Sequence, residues 1–353
     1  MMSKQIPIVI PSYEPDDFLY NTCKALVEAG LSNIIVVNDG SSQSHQKHFD
    51  AIKKDFSIPV LEHAVNRGKG RALKTAFEYI IQNAPDAIGC VTADSDGQHT
   101  PKDIKKCIES LAENQNSLIL GCRDFSKDDV PLKSRFGNEL TKKTCSFLCG
   151  IQVSDTQTGL RGIPLSFMKE LLSVKGERFE FETYMLIESK GKYPITEIEI
   201  ETVYDSKENH KTHFDPIRDS IRIYKIFGIM FLKFIFSSLS SFLIDILLFS
   251  LFCLLFKESF PIYYAGIATV LARVLSATYN CLINYTFVFK SEQRLIKSIV
   301  KYFVLAACQM LVSALLVTAG TLLLTNISAT AIKIVIDLFL FFASYYIQNR
   351  YVF

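Results

Sequence analysis

Two carboxylates spaced two residues apart, Asp94 and Asp96, stand in the run Val91-Thr92-Ala93-Asp94-Ser95-Asp96-Gly97-Gln98-His99. An apolar stretch with the character of a buried strand leads directly into them. Two carboxylates with the nearby Gln98 amide oxygen form a hard donor set suited to Mg²⁺ or Mn²⁺. An ion held there would bridge a diphosphate and stabilise it as a leaving group. An acidic turn closed by Asx hydrogen bonds is the alternative for such a tripeptide. Three further stretches favour the first reading: Val9-Ile10-Pro11-Ser12-Tyr13-Glu14, Val36-Val37-Asn38-Asp39-Gly40-Ser41-Ser42 and Asn66-Arg67-Gly68-Lys69-Gly70-Arg71-Ala72-Leu73. Each sets polar groups at a strand end or a helix start, where a nucleotide binds. Asp39 suits hydrogen bonds from a base or ribose, and Tyr13 suits packing on a base. Gly68 and Gly70 permit close backbone approach at a positive helix terminus.

These stretches need a scaffold that brings them to one edge. Short β-type runs fall at residues 6–10, 34–38, 60–63, 87–93 and 117–121, and helical patterns at 16–29, 70–83 and 101–113. Alternation of apolar strands with helices predicts a mostly parallel sheet covered on both faces. Ligands of such sheets bind beyond the carboxyl ends of the strands. The nine cysteines include no Cys-x-x-Cys pair and read as buried cytosolic thiols.

Within the 353 residues, the net charge of +2 hides a split. Residues 1–230 carry 29 Lys/Arg against 32 Asp/Glu, whereas residues 231–353 carry 9 against 4. This excludes a secreted disulfide scaffold, a disordered chain and a strongly basic nucleic-acid binder, so no nucleic-acid partner is expected. Spanning helices are predicted at about 234–256, 262–285, 302–325 and 332–348. The connection at 290–301 holds Lys290, Arg294, Lys297 and Lys301, and the positive-inside rule assigns it to the cytoplasm. With an even number of spans and no signal-type start, the catalytic domain and both termini are expected there too, on a multi-pass cell-membrane protein. A shift of 64 residues superposes 284–289 on 348–353, Asp245 on Gln309 and Arg273 on Asp337, which predicts two helix-pair units of like design.

The front of the chain resembles glycosyltransferase family 2, in the subgroup of polyprenyl-phosphate glycosyltransferases that includes dolichyl-phosphate mannose synthase. Residues 9–14, 37–41, 66–73 and 94–99 carry the resemblance. Further on it rests on Gly121-Cys122-Arg123-Asp124-Phe125, Asp155-Thr156-Gln157-Thr158-Gly159-Leu160-Arg161 and Arg178-Phe179-Glu180-Phe181-Glu182. It implies an α/β GT-A fold, a nucleotide-sugar donor and inverting transfer to a lipid-linked phosphate. By resemblance, Pro11, Tyr13, Glu14, Asp39, Lys69, Asp94 and Ser95 bind the nucleotide sugar. Asp96, Gln98 and Asp94 hold the metal. Arg123 and Arg135 receive the acceptor phosphate with Asn138, and Asp155 orients sugar and acceptor. Asp94, Asp96, Asp155, Arg123 and Arg135 form the catalytic set. Where the mannose synthases have a loop of the form Arg-x-x-Gly-x-Ser-Lys, this chain has Glu208-Asn209-His210-Lys211-Thr212-His213-Phe214. That is closer to the bacterial version, with Lys211 or His213 as its cation.

The back of the chain resembles the GtrA-like family of four-span proteins, on Phe231-Leu232-Lys233-Phe234 and the two segments at 284–289 and 348–353. The expected organisation is a GT-A domain at 1–214, an interfacial helix at 215–230 and an all-α four-helix membrane domain at 231–353. The expected activity is transfer of a hexose from a UDP- or GDP-linked sugar to undecaprenyl or dolichyl phosphate, for surface glycan or glycoconjugate synthesis. The alternative is a combined synthase and flippase, or a transporter of the lipid-linked sugar fed by the front domain. A processive synthase is nearly excluded, because those enzymes use Gln-x-x-Arg-Trp and this chain has no tryptophan. The partners are thus the donor, the lipid acceptor and the membrane, and a homo-oligomer through the spans is admitted.

Overall fold

The computed structural model describes residues 6–124, 132–201, 218–324 and 327–353, with side chains from residue 135 in the second of these ranges. The chain divides into two compact units. One comprises Met1–Ser146 with Ile151–Tyr224, the other Phe147–Gly150 with Lys225–Phe353.

In the first unit, the strands are β1 (Ile8–Ser12), β2 (Ile34–Asn38), β3 (Val60–Glu62), β4 (Gly89–Thr92), β5 (Leu118–Arg123), β6 (Arg161–Pro164) and β7 (Ile195–Ile200). They form one sheet in the order β3-β2-β1-β4-β6-β5-β7. Only β6 runs against its neighbours β4 and β5; every other pairing is parallel. The expected α/β class with a mostly parallel sheet is the class observed. The helices of this unit are α1 (Asp17–Glu28), α2 (Gln46–Phe56), α3 (Lys69–Asn83), α4 (Pro101–Glu113), α5 (Leu132–Cys149, whose last residues belong to the second unit), α6 (Leu165–Leu171) and α7 (Glu180–Ser189).

The reversal of β6 matters for the site. A reversed strand begins where its parallel neighbours end, so the segment leading into Arg161 arrives at the carboxyl edge. The same edge receives the chain leaving β1, β2, β4 and β5. Strands β1, β2 and β4 are buried along their whole length, which is why they read as continuous apolar runs. The core on one face packs Leu19, Leu26, Phe49 and Ile52 of α1 and α2, with Ile104 and Leu111 of α4, against Ile8, Ile10, Val36 and Val91. Helix α4 starts cleanly because Thr100 accepts the Asp103 N–H and Pro101 occupies the first turn, where its missing N–H costs nothing.

The second unit contains α8 (Arg218–Phe256), whose first residues belong to the first unit, α9 (Tyr264–Ile283), α10 (Leu295–Leu323) and α11 (Ala329–Ile347). All four are long and apolar enough to cross a membrane. Many of their large apolar side chains face outward, among them Leu247, Leu254, Val270, Ile296 and Leu323. The juxtamembrane helix expected at 215–230 is not a separate element over its described part. From Arg218 it continues without a break to Phe256. Nothing there stops it: Gly228 weakens a helix by only about 1 kcal/mol and no proline intervenes.

The two segments related by the 64-residue shift adopt the same form. Asn284–Val288 and Gln348–Val352 are both wide π-helical turns, one extending α9 and the other α11. The two turns meet, since Asn284 Nδ2 donates to Gln348 Oε1 at 2.9 Å. Around them Phe234, Phe289, Tyr302, Tyr345 and Phe353 form the aromatic core of the unit.

Gly89 sits opposite Pro164 in the β4–β6 ladder, and a Cβ there would overlap the Ile163 carbonyl oxygen, which is backbone and cannot swing aside. Gly89→Ala is expected to destabilise the α/β unit by about 1–3 kcal/mol, the usual range for overpacking. Denaturant unfolding followed by circular dichroism checks this.

Candidate active site

At the carboxyl edge of the sheet lies a cavity of about 690 Å³. Nine residues singled out from the sequence line it: Pro11, Tyr13, Asp39, Lys69, Asp94, Ser95, Asp96, Gln98 and Arg123.

Beyond β2, Asp39 is buried and held by three partners. Its Oδ1 takes the Arg67 backbone N–H at 2.9 Å and lies 2.7 Å from His63 Nδ1, while Oδ2 takes the Gly68 N–H at 2.7 Å. His63 is fixed from its other side by Thr75, at 2.9 Å from Nε2. Asp39 therefore shapes the loop ahead of α3. Gly68 there has φ +100°, and a side chain would run into Glu177 and Arg178.

Lys69, the first residue of α3, bridges two acids. Its Nζ lies 2.7 Å from Asp94 Oδ1 and 2.8 Å from Glu182 Oε1. Burial acts to lower the ammonium pKa, but the charges of Asp94 and Glu182 outweigh it and the net shift is upward. On the far side of Asp94, His99 Nε2 approaches Oδ2 at 3.3 Å. Burial alone would raise the Asp94 pKa; Lys69 and His99 overcome that and hold it well below the usual carboxylate range. Asp96 moves the other way, raised by burial and then by the charge of Asp94. It accepts the Gln98 backbone N–H at 3.1 Å.

The Asp94 carboxylate rests against the backbone of Gly159, where a Cβ would overlap it. The segment ahead of β6 thus contributes a glycine because Asp94 needs the space. The same segment supplies Asp155, wholly buried, which takes Arg123 Nε at 2.6 Å and Arg123 Nη2 at 3.1 Å. This paired geometry locks the plane of the guanidinium at the cavity wall.

Four sequence expectations fall differently. Glu14 does not line the cavity. With φ +47° it joins two loops, its N–H donating to Ser41 Oγ and its carboxylate taking the Ser42 N–H. Asp155 is buried behind Arg123 and is not among the lining residues, so its influence passes through the guanidinium. Arg135 and Asn138, both on α5, do not line the cavity either; Asn138 Nδ2 donates instead to the Ser154 carbonyl at 2.9 Å. Lys211 and the loop around it lie outside the described residues.

The cavity wall also includes residues that sequence reasoning did not assign to it: Asn66, Thr156, Gln157, Arg178, Phe179 and Glu182. Their motifs were visible, but their convergence depends on the reversal of β6 and the placement of α7. Arg161 is the hub of that convergence. Almost fully buried, it donates to the carbonyls of Glu182 at 2.7 Å, Thr158 at 2.9 Å and Thr156 at 3.2 Å.

The donor set around Asp96 consists of carboxylate and amide oxygens, the chemistry that hard divalent cations select. Among the described residues, no three His, Cys, Asp or Glu side chains are grouped as a metal site. A cation here would accordingly need oxygens from a ligand to complete its shell.

The family description glycosyl transferase family 2 matches residues 8–172. Over 205 residues the chain is 30% identical to an uncharacterized protein of Methanocaldococcus jannaschii, covering 57% of this chain and 82% of the relative. The chain belongs to glycosyl transferase family 2. Within the family it is also 28% identical, over 226 residues, to a Methanococcus voltae protein named UDP-N-acetylglucosamine–dolichyl-phosphate N-acetylglucosaminyltransferase, covering 58% of this chain and 88% of that one. Among solved structures, a mannosyltransferase from Pyrobaculum calidifontis in complex with GDP-Man and Mn²⁺ aligns with 98% of this chain and 87% of its own, at 12% identity and TM-score 0.39. Mannosyl-3-phosphoglycerate synthase from Rubrobacter xylanophilus aligns with 63% of this chain and 73% of its own, at 12% identity and TM-score 0.44.

Within this glycosyltransferase, Arg161→Met strips three buried carbonyls of their donor. It is expected to cost at least about 3 kcal/mol of stability in the α/β unit. Arg161→Lys is expected to recover little, because one ammonium does not reproduce the planar fork. Thermal unfolding of the two variants against the parent checks both statements.

Proposed function

We propose that this chain transfers a hexose from a nucleotide sugar, UDP- or GDP-linked, to a polyprenyl phosphate such as undecaprenyl or dolichyl phosphate. The carrying observation is one cavity that gathers a carboxylate pair, a lysine tied to it and an arginine clamped by a buried aspartate. The relative from Methanococcus voltae, named for a dolichyl-phosphate acceptor, supports the same acceptor class.

In this reading the nucleotide lies along Pro11, Tyr13 and Asp39, and its phosphates approach Gly68 at the N-terminus of α3. Asp96, Gln98 and Asp94 would hold Mg²⁺ or Mn²⁺. When bound, the ion supplies positive charge to the departing nucleoside diphosphate. Lys69 contributes a second cation from the protein itself. Asp94 stays ionised because Lys69 and His99 compensate it, and Gly159 leaves its carboxylate room.

The acceptor needs no general base. A lipid phosphate is already an anion at neutral pH, so the protein has only to align it and offset its charge. Arg123 takes that task, and Asp155 is its positioning partner. A guanidinium fixed in plane presents donors to phosphate oxygens in a set direction. The four apolar helices, read as a GtrA-like membrane domain, would keep the transferase on the membrane that contains its acceptor.

The test is transfer of labelled sugar from UDP- and GDP-sugars into an organic-extractable, acid-labile lipid. Asp96→Asn is expected to lower this transfer by about 10²–10³-fold with the melting temperature unchanged, a loss typical of removing one transition-state contact. Arg123→Lys is expected to slow lipid glycosylation at least about tenfold while donor binding stays at the parental value. Parental transfer by Asp96→Asn would remove the cation assignment, and equal loss of donor binding by Arg123→Lys would remove the acceptor assignment.

A further inference from the structure

The connection between α6 and α7, residues 172–179, is fastened to α3 by a buried charge. Lys74 on α3 is 2% exposed, and its Nζ donates to the carbonyls of Val174 at 2.7 Å and Gly176 at 2.9 Å. The same Nζ lies 2.9 Å from Glu177 Oε1 and 5.0 Å from the centre of the Phe181 ring. An ammonium taken out of water is tolerated when its protons are all placed, and three acceptors take them here. Glu180 Oε1 accepts the N–H groups of Glu177 at 3.2 Å and Arg178 at 3.3 Å, and the Glu177 carbonyl accepts the Arg71 N–H at 2.9 Å.

The glycines of Gly68-Lys69-Gly70 belong to the same fastening. A Cβ on Gly68 would overlap Arg178 Cγ and the Glu177 carbonyl oxygen, and one on Gly70 would overlap Phe181 Cβ and crowd the Arg178 carbonyl. Such spacing is what close approach of a ligand calls for, but residues 177–181 take the room. The backbone donors are taken as well. The N–H groups of Arg67 and Gly68 go to Asp39, and that of Arg71 goes to Glu177. Three donors that an anion would use where a helix starts are already spent.

What the connection brings to the cavity is a cation. Arg178 is exposed and lines the wall beside Gly68, and its guanidinium has no carboxylate partner among the described residues. Lys69 is placed differently, between Asp94 and Glu182. Counting Asp96, the carboxylates of that group outnumber Lys69 by two charges, which a divalent cation would just cancel. Arg123 is already paired with Asp155. The negative charges of a diphosphate are therefore left to Arg178.

We infer that Arg178 binds the diphosphate of the nucleotide-sugar donor, and that Lys74 is its positioning residue. The inference deepens the proposed reaction and rests on that reading of the cavity. Arg178 Cγ packs on Gly68, the point that the donor's phosphates approach, and a guanidinium there presents paired donors to phosphate oxygens. With Val174, Gly176 and Glu177 held by Lys74, the backbone that carries Arg178 is fixed against α3 before the donor arrives. Less ordering is then left for binding to supply. A connection that served stability alone has no need to end in an unpaired cation at the cavity wall.

The experiment measures displacement of a fluorescent nucleoside diphosphate from the full-length protein, in detergent with Mg²⁺. The competitors are UDP and GDP, and uridine and guanosine, which lack phosphate. Arg178→Gln is expected to weaken the diphosphate that the parent prefers about tenfold, the scale of one lost charged hydrogen bond, with the matching nucleoside at its parental affinity. Lys74→Met is expected to weaken the same diphosphate at least about threefold, and to add nothing in an Arg178→Gln background, as for residues that act through one another. If Lys74→Met does not fold, Glu177→Gln removes one of the three acceptors at a side chain 53% exposed and is read in the same two backgrounds. Parental diphosphate affinity in Arg178→Gln, or an equal loss of the nucleoside, overturns the assignment of Arg178. Full additivity of the two substitutions overturns the positioning role. Both outcomes leave the nucleotide-sugar reading standing, whereas a parent from which neither UDP nor GDP displaces the probe overturns that reading and this inference with it.

Discussion

Two carboxylates at the end of a buried strand repel each other, and the rest of the site is arranged around that repulsion. Strand β4 is fully buried, so its exit point leaves Asp94 and Asp96 partly removed from water. Asp94 is stabilised as an anion by Lys69 on one oxygen and His99 on the other. Asp96 lacks that degree of compensation, and its pKa is pushed upward by burial and by Asp94. A low-dielectric rim with one compensated and one under-compensated carboxylate is poised to take up positive charge. Lys69 has its place because α3 starts there, and α3 starts there because Asp39 gathers the backbone N–H groups of Arg67 and Gly68. Gly159 is a glycine because Asp94 fills the space a side chain would need.

The same logic links the second half of the site to the first. The segment ahead of β6 reaches this rim only because β6 runs antiparallel between β4 and β5. With it come Asp155, which orients Arg123, and Arg161, which pins three carbonyls from two elements. Arg123 thus stands at the cavity wall, while Arg161, almost fully buried, holds the segment and α7 together. Family membership identifies the outcome as a glycosyltransferase.

Much of this arrangement was legible in the residues, and the exceptions have physical causes. Strands β1, β2, β4 and β5 were readable because a sheet buried on both faces leaves continuous apolar runs, and β3 because Val60 and Leu61 stand between polar stretches. Strands β6 and β7 were not. Arg161-Gly162-Ile163-Pro164 contains a charge that is buried only because three carbonyls meet it, and β7 alternates Glu with Ile along a less buried strand. Helix α2 went unread because its apolar stripe is narrow, Phe49, Ile52 and Phe56 among mostly polar residues. At the site, Pro11, Tyr13, Asp39, Lys69, Asp94, Ser95, Asp96, Gln98 and Arg123 line the cavity their motifs pointed to. Glu14, Asp155, Arg135 and Asn138 do not. Sequence gives a side chain's neighbourhood along the chain, but whether a carboxylate faces a ligand or a backbone amide depends on its partners in space. In the helical unit, the repeat was visible as a spacing of polar residues, while the direct bond between Asn284 and Gln348 required the fold.

The central claim is that the rim of β4 binds a divalent cation together with a nucleoside diphosphate. Electron paramagnetic resonance of Mn²⁺ measures free and bound ion on the full-length protein without any turnover. The account predicts weak Mn²⁺ binding by the protein alone, strengthened at least about tenfold by UDP or GDP because the ligand completes the metal's oxygen shell. Mn²⁺ that stays free in the presence of either nucleotide, or that binds equally well with and without them, would contradict it.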